Sequence, residues 1–156
     1  MHEATTRMDL NKFANAVHLS PTEAIADVQE LAKEGFLRKV GAGYGLTEKG
    51  KNALKMSHIV PPENVFYFYI GVGRPLGFSA NSLKEFYRFV AQVCSDSLDF
   101  HLYRGDFENW FAQIVGDKDL ANQIAAFKAS GICGEELRKA LLNVGDAHYG
   151  IGELDL

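Results

Sequence analysis

The chain has little cysteine, no long apolar run and no excess of positive charge. Two cysteines, Cys94 and Cys133, are too few for a disulfide framework, and both are expected to be reduced and buried in an intracellular protein. No apolar stretch approaches the roughly 20 residues of a membrane span, so no membrane partner is expected. The opening Met1-His2-Glu3 has neither the basic start nor the apolar stretch of a secretory signal, and a cytoplasmic location is the expectation. Cys94, His101, Cys133 and His148 follow no recognised metal-ligand spacing. No nucleophile stands beside a second base, and no repeat or low-complexity tract is present. The expectation is therefore no enzyme, no metal and no cofactor.

Charge is spread unevenly. Residues 1–60 carry 8 Lys/Arg against 7 Asp/Glu, and residues 61–156 carry 8 against 13, which gives the net −4. A dedicated DNA binder usually shows a basic excess, because phosphate contacts dominate its affinity. Here the first segment is neutral and the second acidic.

What is present is a series of helix and turn signals. A chain of 156 residues is long enough for one domain or two small ones. Leu10, Phe13, Ala14 and Val17 repeat at helical spacing and predict a short helix over 9–17. His18-Leu19 then makes a turn. Ser20-Pro21-Thr22-Glu23 reads as a capping box with proline at the first helical position. The helix it opens should bury Ala24, Val28, Leu31 and Ala32 and stop at Gly35. Two short strands, 36–40 and 44–46, flank Gly41-Ala42-Gly43. Thr47 caps a last helix holding Ala53 and Leu54. Tandem Pro61-Pro62 marks a linker over 57–64.

The order Leu19-Ser20, Leu31, Gly35-Phe36-Leu37 and Leu46-Thr47-Glu48-Lys49-Gly50 resembles the winged-helix domain of MarR-like regulators. The resemblance covers about a third of the chain. It implies a recognition helix over 20–34, a wing at 41–44 and duplex DNA as partner. In that reading Thr22, Gln29, Lys33, Arg38, Lys39, Lys49 and Lys51 are the candidate DNA contacts. Two features depart from the family. Only Met1–Met8 precedes the first short helix, about two helical turns at most. The exposed positions of the recognition helix include Glu23, Asp27, Glu30 and Glu34, which face repulsion from phosphates. A protein-docking adaptor that binds no DNA is the alternative.

The second segment opens with one strand, Val65–Ile70, and then becomes helical. Ser82-x-x-Glu85 is a second capping box ahead of Leu83, Phe86, Val90 and Val93. Further helices are predicted over 95–103, from Asp106, from Asp117 and over 134–144, with Asp106 and Asp117 as caps. Phe107, Trp110, Phe111 and Ile114 should face inward. The tail from Gly145 is expected to be loose. Ile70-Gly71-Val72-Gly73-Arg74-Pro75-Leu76-Gly77 invites a phosphate-loop reading, but its spacing is off by one and Pro75 removes a donor. A glycine-rich turn is the simpler account. Arg74, His101, Arg104 and Asp106 form the candidate polar cluster, with an acid–base group and plain structural roles both open. Phe66-Tyr67-Phe68-Tyr69, Ser97-Leu98-x-Phe100-His101, Asp106-Phe107-x-x-Trp110 and Gly116-Asp117-x-x-Leu120-Ala121 together resemble an uncharacterised helical domain family of archaea. That resemblance implies a separate second domain and no activity.

The expected fold is thus mainly α (α+β), a winged helix-turn-helix over 1–56, a linker over 57–64, a helical domain over 65–145 opened by one β-strand, and a flexible tail over 146–156. The lone strand lacks a partner in its own domain; pairing with the wing strands 36–40 or 44–46 and pairing with its own copy in a homodimer are both open, and the homodimer is favoured.

Overall fold

The computed structural model describes residues 7–8 and 21–153. The predicted helix over 9–17, its turn and the capping Ser20 lie outside the described residues, as do the side chains of Thr22, Glu23 and Ala24. The chain is mainly helical with two small antiparallel sheets, and it divides into two compact units, Met1–Lys55 and Met56–Leu156.

The first unit holds β1 (Arg7–Met8), α1 (Pro21–Lys33), β2 (Leu37–Val40), β3 (Gly43–Leu46) and most of α2 (Glu48–Ser57). Within the segment Met1–Met8, where the resembled family has a helix, Arg7 and Met8 pair with Gly45 and Tyr44 of β3. The sheet order is β1-β3-β2. Val28 and Leu37 are its buried apolar side chains among those described, with Leu31 and Ala32 half-buried. Thr47 joins the elements: its Oγ1 donates to the Gly35 carbonyl and accepts from the Gly50 amide at 3.1 Å. Gly50 allows this closure, because a Cβ there would stand 2.1 Å from the Phe36 carbonyl oxygen. Leu54, expected in the last helix, faces solvent.

The second unit contains β4 (Phe66–Gly71), β5 (Arg74–Ala80), α3 (Leu83–Gln92), α4 (Ser95–Arg104), α5 (Asp106–Trp110), α6 (Lys118–Ser130) and α7 (Gly134–Tyr149). A single wide turn, Phe111–Val115, continues α5. The strand read as unpartnered has a partner. β4 pairs antiparallel with β5, Phe66 opposite Ala80 and Tyr67 opposite Ser79. The glycine-rich stretch after Ile70 is the hairpin turn, and β5 rather than a helix follows it. The argument for a homodimer through Val65–Ile70 loses its premise with this pairing.

Aromatic rings fill this unit's core. Phe66, Phe68, Phe86, Phe107, Trp110 and Phe111 are buried together, with Trp110 stacked on Phe86 at 5.1 Å between centroids. Ile114 is half-buried against them. Both expected caps in helices α3 and α6 form: Ser82 Oγ accepts from the Glu85 amide at 3.2 Å, and Asp117 Oδ1 from Leu120 at 3.0 Å. Glu85 returns its carboxylate to the Asn81 amide, one residue before the cap. Asp106 does not cap α5; Gly105 holds that position and the carboxylate goes elsewhere. Both cysteines are exposed and free, each at the residue before a helix.

The tail from Gly145 is not loose at its start. Helix α7 runs on to Tyr149, and Gly145, Tyr149 and Ile151 are buried. Residues 154–156 lie outside the described part. A glycine reads as a breaker in sequence, but here it makes room for a ring: a Cβ on Gly145 would lie 2.4 Å from Cε1 of the buried Tyr87. Gly145→Ala is therefore expected to destabilise the protein by roughly 1–3 kcal/mol despite alanine's better helix propensity. A shift of the urea midpoint to lower concentration checks this, and an unchanged or higher midpoint would contradict it.

Candidate functional site

On the first unit, the candidate contacts divide into free and engaged groups. Gln29 and Lys33 lie exposed on α1 beside Asp27, Glu30 and Glu34, so the described outer face of that helix is acidic. Arg38 and Lys39 are adjacent and exposed on β2, and neither has an ion-pair partner among the described residues. Lys49 is engaged: its Nζ donates to the Glu34 carbonyl at 2.9 Å and sits 4.7 Å from the centre of the Phe36 ring. Lys51 pairs with Glu48 at 3.4 Å. Thr22 has no described side chain.

On the second unit, the structure brings three of the four predicted polar residues together. His101 is buried on α4, and its ring takes two partners. Its Nε2 accepts the Tyr69 amide at 2.8 Å, while Nδ1 is 2.8 Å from Asp106 Oδ2. An acceptor at Nε2 places the proton on Nδ1, which then donates to Asp106. Arg104 Nε lies 3.6 Å from the same Oδ2 and its guanidinium covers the Phe100 ring at 4.9 Å. Arg74 stands apart, exposed at the start of β5, with no ion pair to this group among the described residues.

Ser97 completes the arrangement and was missed in the sequence as a site residue. It is buried, and its Oγ donates to the Tyr69 carbonyl at 2.7 Å. Ser97 and His101 are four apart on α4, hence on one face. Between them they satisfy both backbone groups that Tyr69 turns away from β5. An unpaired strand edge exposes such groups, and burying them unbonded costs about 1–3 kcal/mol each. The spacing of Ser97 and His101 was visible; the backbone they serve was not.

This geometry decides the chemistry. A general base needs a free nitrogen within reach of a substrate proton. Both nitrogens of His101 are committed, one to a backbone amide in a strand. Burial, the largest influence, holds the imidazole below its ordinary 6.5; the Asp106 bond and charge oppose this, and the Arg104 cation adds to it. The group is a neutral strut with an aspartate fixing its tautomer.

Beside this strut lies a cleft of about 520 Å³. The edge of β4 forms one side, Trp110 and Ile114 an apolar wall, and Arg104, Asp106, Asn109 and Gln113 polar groups. Trp110 keeps its indole N–H on the Asn64 carbonyl at 2.8 Å. Among the described residues no group of three or more His, Cys, Asp or Glu could hold a metal ion, and no helix is long and apolar enough to cross a membrane. No family model, curated protein or solved structure matches the chain.

The strut has a pH signature. Below pH 6.5 the unfolded chain gains a proton at His101 that the folded ring resists, so the folded state loses stability as pH falls from 6.5 toward the lowered folded value. Above 6.5 this contribution is fully present. Urea unfolding at about pH 7.5 and about pH 5.5 should show the loss, and His101→Gln should reduce it. A variant with the same pH slope as the parent would contradict the assignment.

Proposed function

We propose that the first unit is a winged-helix module of the regulator type, with β2 and β3 as its wing, and that it binds duplex DNA mainly through that wing. The observation that carries this reading is the exposed, unengaged pair Arg38 and Lys39 on β2. Cations that must reach phosphate cannot already be tied down. Lys49 and Lys51 are tied down, and play the lesser part. The acidic residues Asp27, Glu30 and Glu34 keep α1 from lying deep in a major groove, which leaves Gln29 as its described base-reading side chain. Affinity should then rest on few phosphate contacts, with modest strength and some salt dependence. The second unit is read as the helical domain suggested by its motif order, without assigned chemistry.

The same acidic face of α1 favours a second reading, in which the module docks a basic protein surface and binds no DNA.

Gel-shift titrations with random duplex at low and moderate salt separate the two. The parent should shift duplex at low salt, and Arg38→Glu with Lys39→Glu should lower affinity by about tenfold or more, while Lys51→Glu changes it less. No shift by the parent at low salt, or an unchanged shift by the double variant, removes DNA from this face and leaves the docking reading.

A further inference from the structure

The outer edge of β4 is closed at Tyr69 and open at Tyr67. Along a strand, the N–H and C=O of one residue point to the same edge, and residues two apart share that edge. Tyr69 turns both groups toward α4, where His101 and Ser97 bond them. Tyr67 turns its own pair the same way. The pairing irregularity between these two rungs puts the extra residues on β5, where Tyr67 faces Ser79 and Tyr69 faces Pro75. β4 itself keeps its alternation, Phe66 and Phe68 buried and Tyr67 exposed. Outside the sheet, no backbone partner of Tyr67 occurs among the described residues. This open rung borders the cleft that Arg104, Asp106, Asn109, Trp110, Gln113 and Ile114 line.

We propose that the cleft binds the carboxyl-terminal end of an extended peptide, which adds to β4 at Tyr67 and sets its carboxylate against Arg104. An unpaired amide and carbonyl on a strand edge are complementary to peptide backbone. The edge does not continue: α4 occupies it at Tyr69, so an added strand has to stop there. The ligand is therefore a chain end. Charge selects which end. Arg104 is half-exposed, and its contact with Asp106 Oδ2 is long at 3.6 Å because that oxygen makes its short bond to His101. A guanidinium in this state is a carboxylate receptor, while Asp106, which also lines the cleft, has its Oδ2 engaged by His101 and Arg104. Trp110 and Ile114 supply an apolar wall for the last side chain, and Asn109 and Gln113 line the same cleft. A second copy of β4 does not fit the same rung, since its own α4 covers the neighbouring position on its own edge. The inference is independent of what the first unit binds.

Fluorescence anisotropy with labelled hexapeptide pools ending in leucine, valine or phenylalanine tests it, each pool made with a free carboxylate and as the terminal amide. At least one carboxylate pool should bind about tenfold tighter than its amide. Arg104→Gln, a substitution at a half-exposed position, should erase that difference. Binding should slow hydrogen exchange at the Tyr67 amide and leave Tyr69, already bonded, unchanged. Equal binding of carboxylate and amide pools, a difference that survives Arg104→Gln, an unchanged Tyr67 amide, or no binding by any pool would each overturn the proposal.

Discussion

The backbone of Tyr69 is the point on which the second unit depends. A two-stranded sheet has two open edges and too little burial to stand alone in water. β4 carries aromatic side chains at Phe66 and Phe68 into the core, and at Tyr69 its outer edge lies against α4. The buried polar groups on that edge have to be bonded by side chains. α4 supplies them as an i, i+4 pair, with Ser97 donating to the carbonyl and His101 accepting from the amide. Only an imidazole protonated at Nδ1 can accept there, and Asp106 enforces that state from the first position of α5. A strand, two helices and one tautomer are thus linked by three short contacts, and the aromatic core packs around the strand they hold.

Much of the fold was legible because its signals are local. The caps at Ser82 and Asp117, the stop at Gly35, the strands around Gly41-Ala42-Gly43 and the apolar face of α3 all follow from neighbouring residues. What escaped the sequence was non-local. β5 reads poorly as a strand, since Arg74-Pro75-Leu76-Gly77 holds a proline and a glycine, and pairing with β4 overrides both. Gly145 reads as a helix end, and only the ring of Tyr87 explains its place inside α7. Asp106 has the residue type and position of a cap, yet it serves His101 five residues earlier.

The site was legible in part for the same reason. His101, Arg104 and Asp106 were grouped by proximity in sequence, and they do meet. Arg74 was grouped with them on residue type alone and does not. Ser97 went unnoticed because its partner is a main-chain carbonyl, which no sequence pattern displays. On the first unit, sequence could list cations but not which were occupied; Lys49 over Phe36 is a tertiary fact, Lys51 beside Glu48 a local i, i+3 pair, and both shift attention to Arg38 and Lys39. Chemistry-bearing residue types therefore divide into struts, caps and free groups only once their partners are known.

The claim that His101 is a neutral strut, and so not an acid–base catalyst, can be read from the ring itself. Nitrogen-15 spectra of the His101 imidazole at about pH 7 should show a neutral ring protonated at Nδ1, with Nε2 unprotonated and coupled through the hydrogen bond to the Tyr69 amide. A ring protonated at Nε2, or a charged imidazolium at that pH, would contradict the account, because neither can accept the hydrogen bond that closes the strand edge.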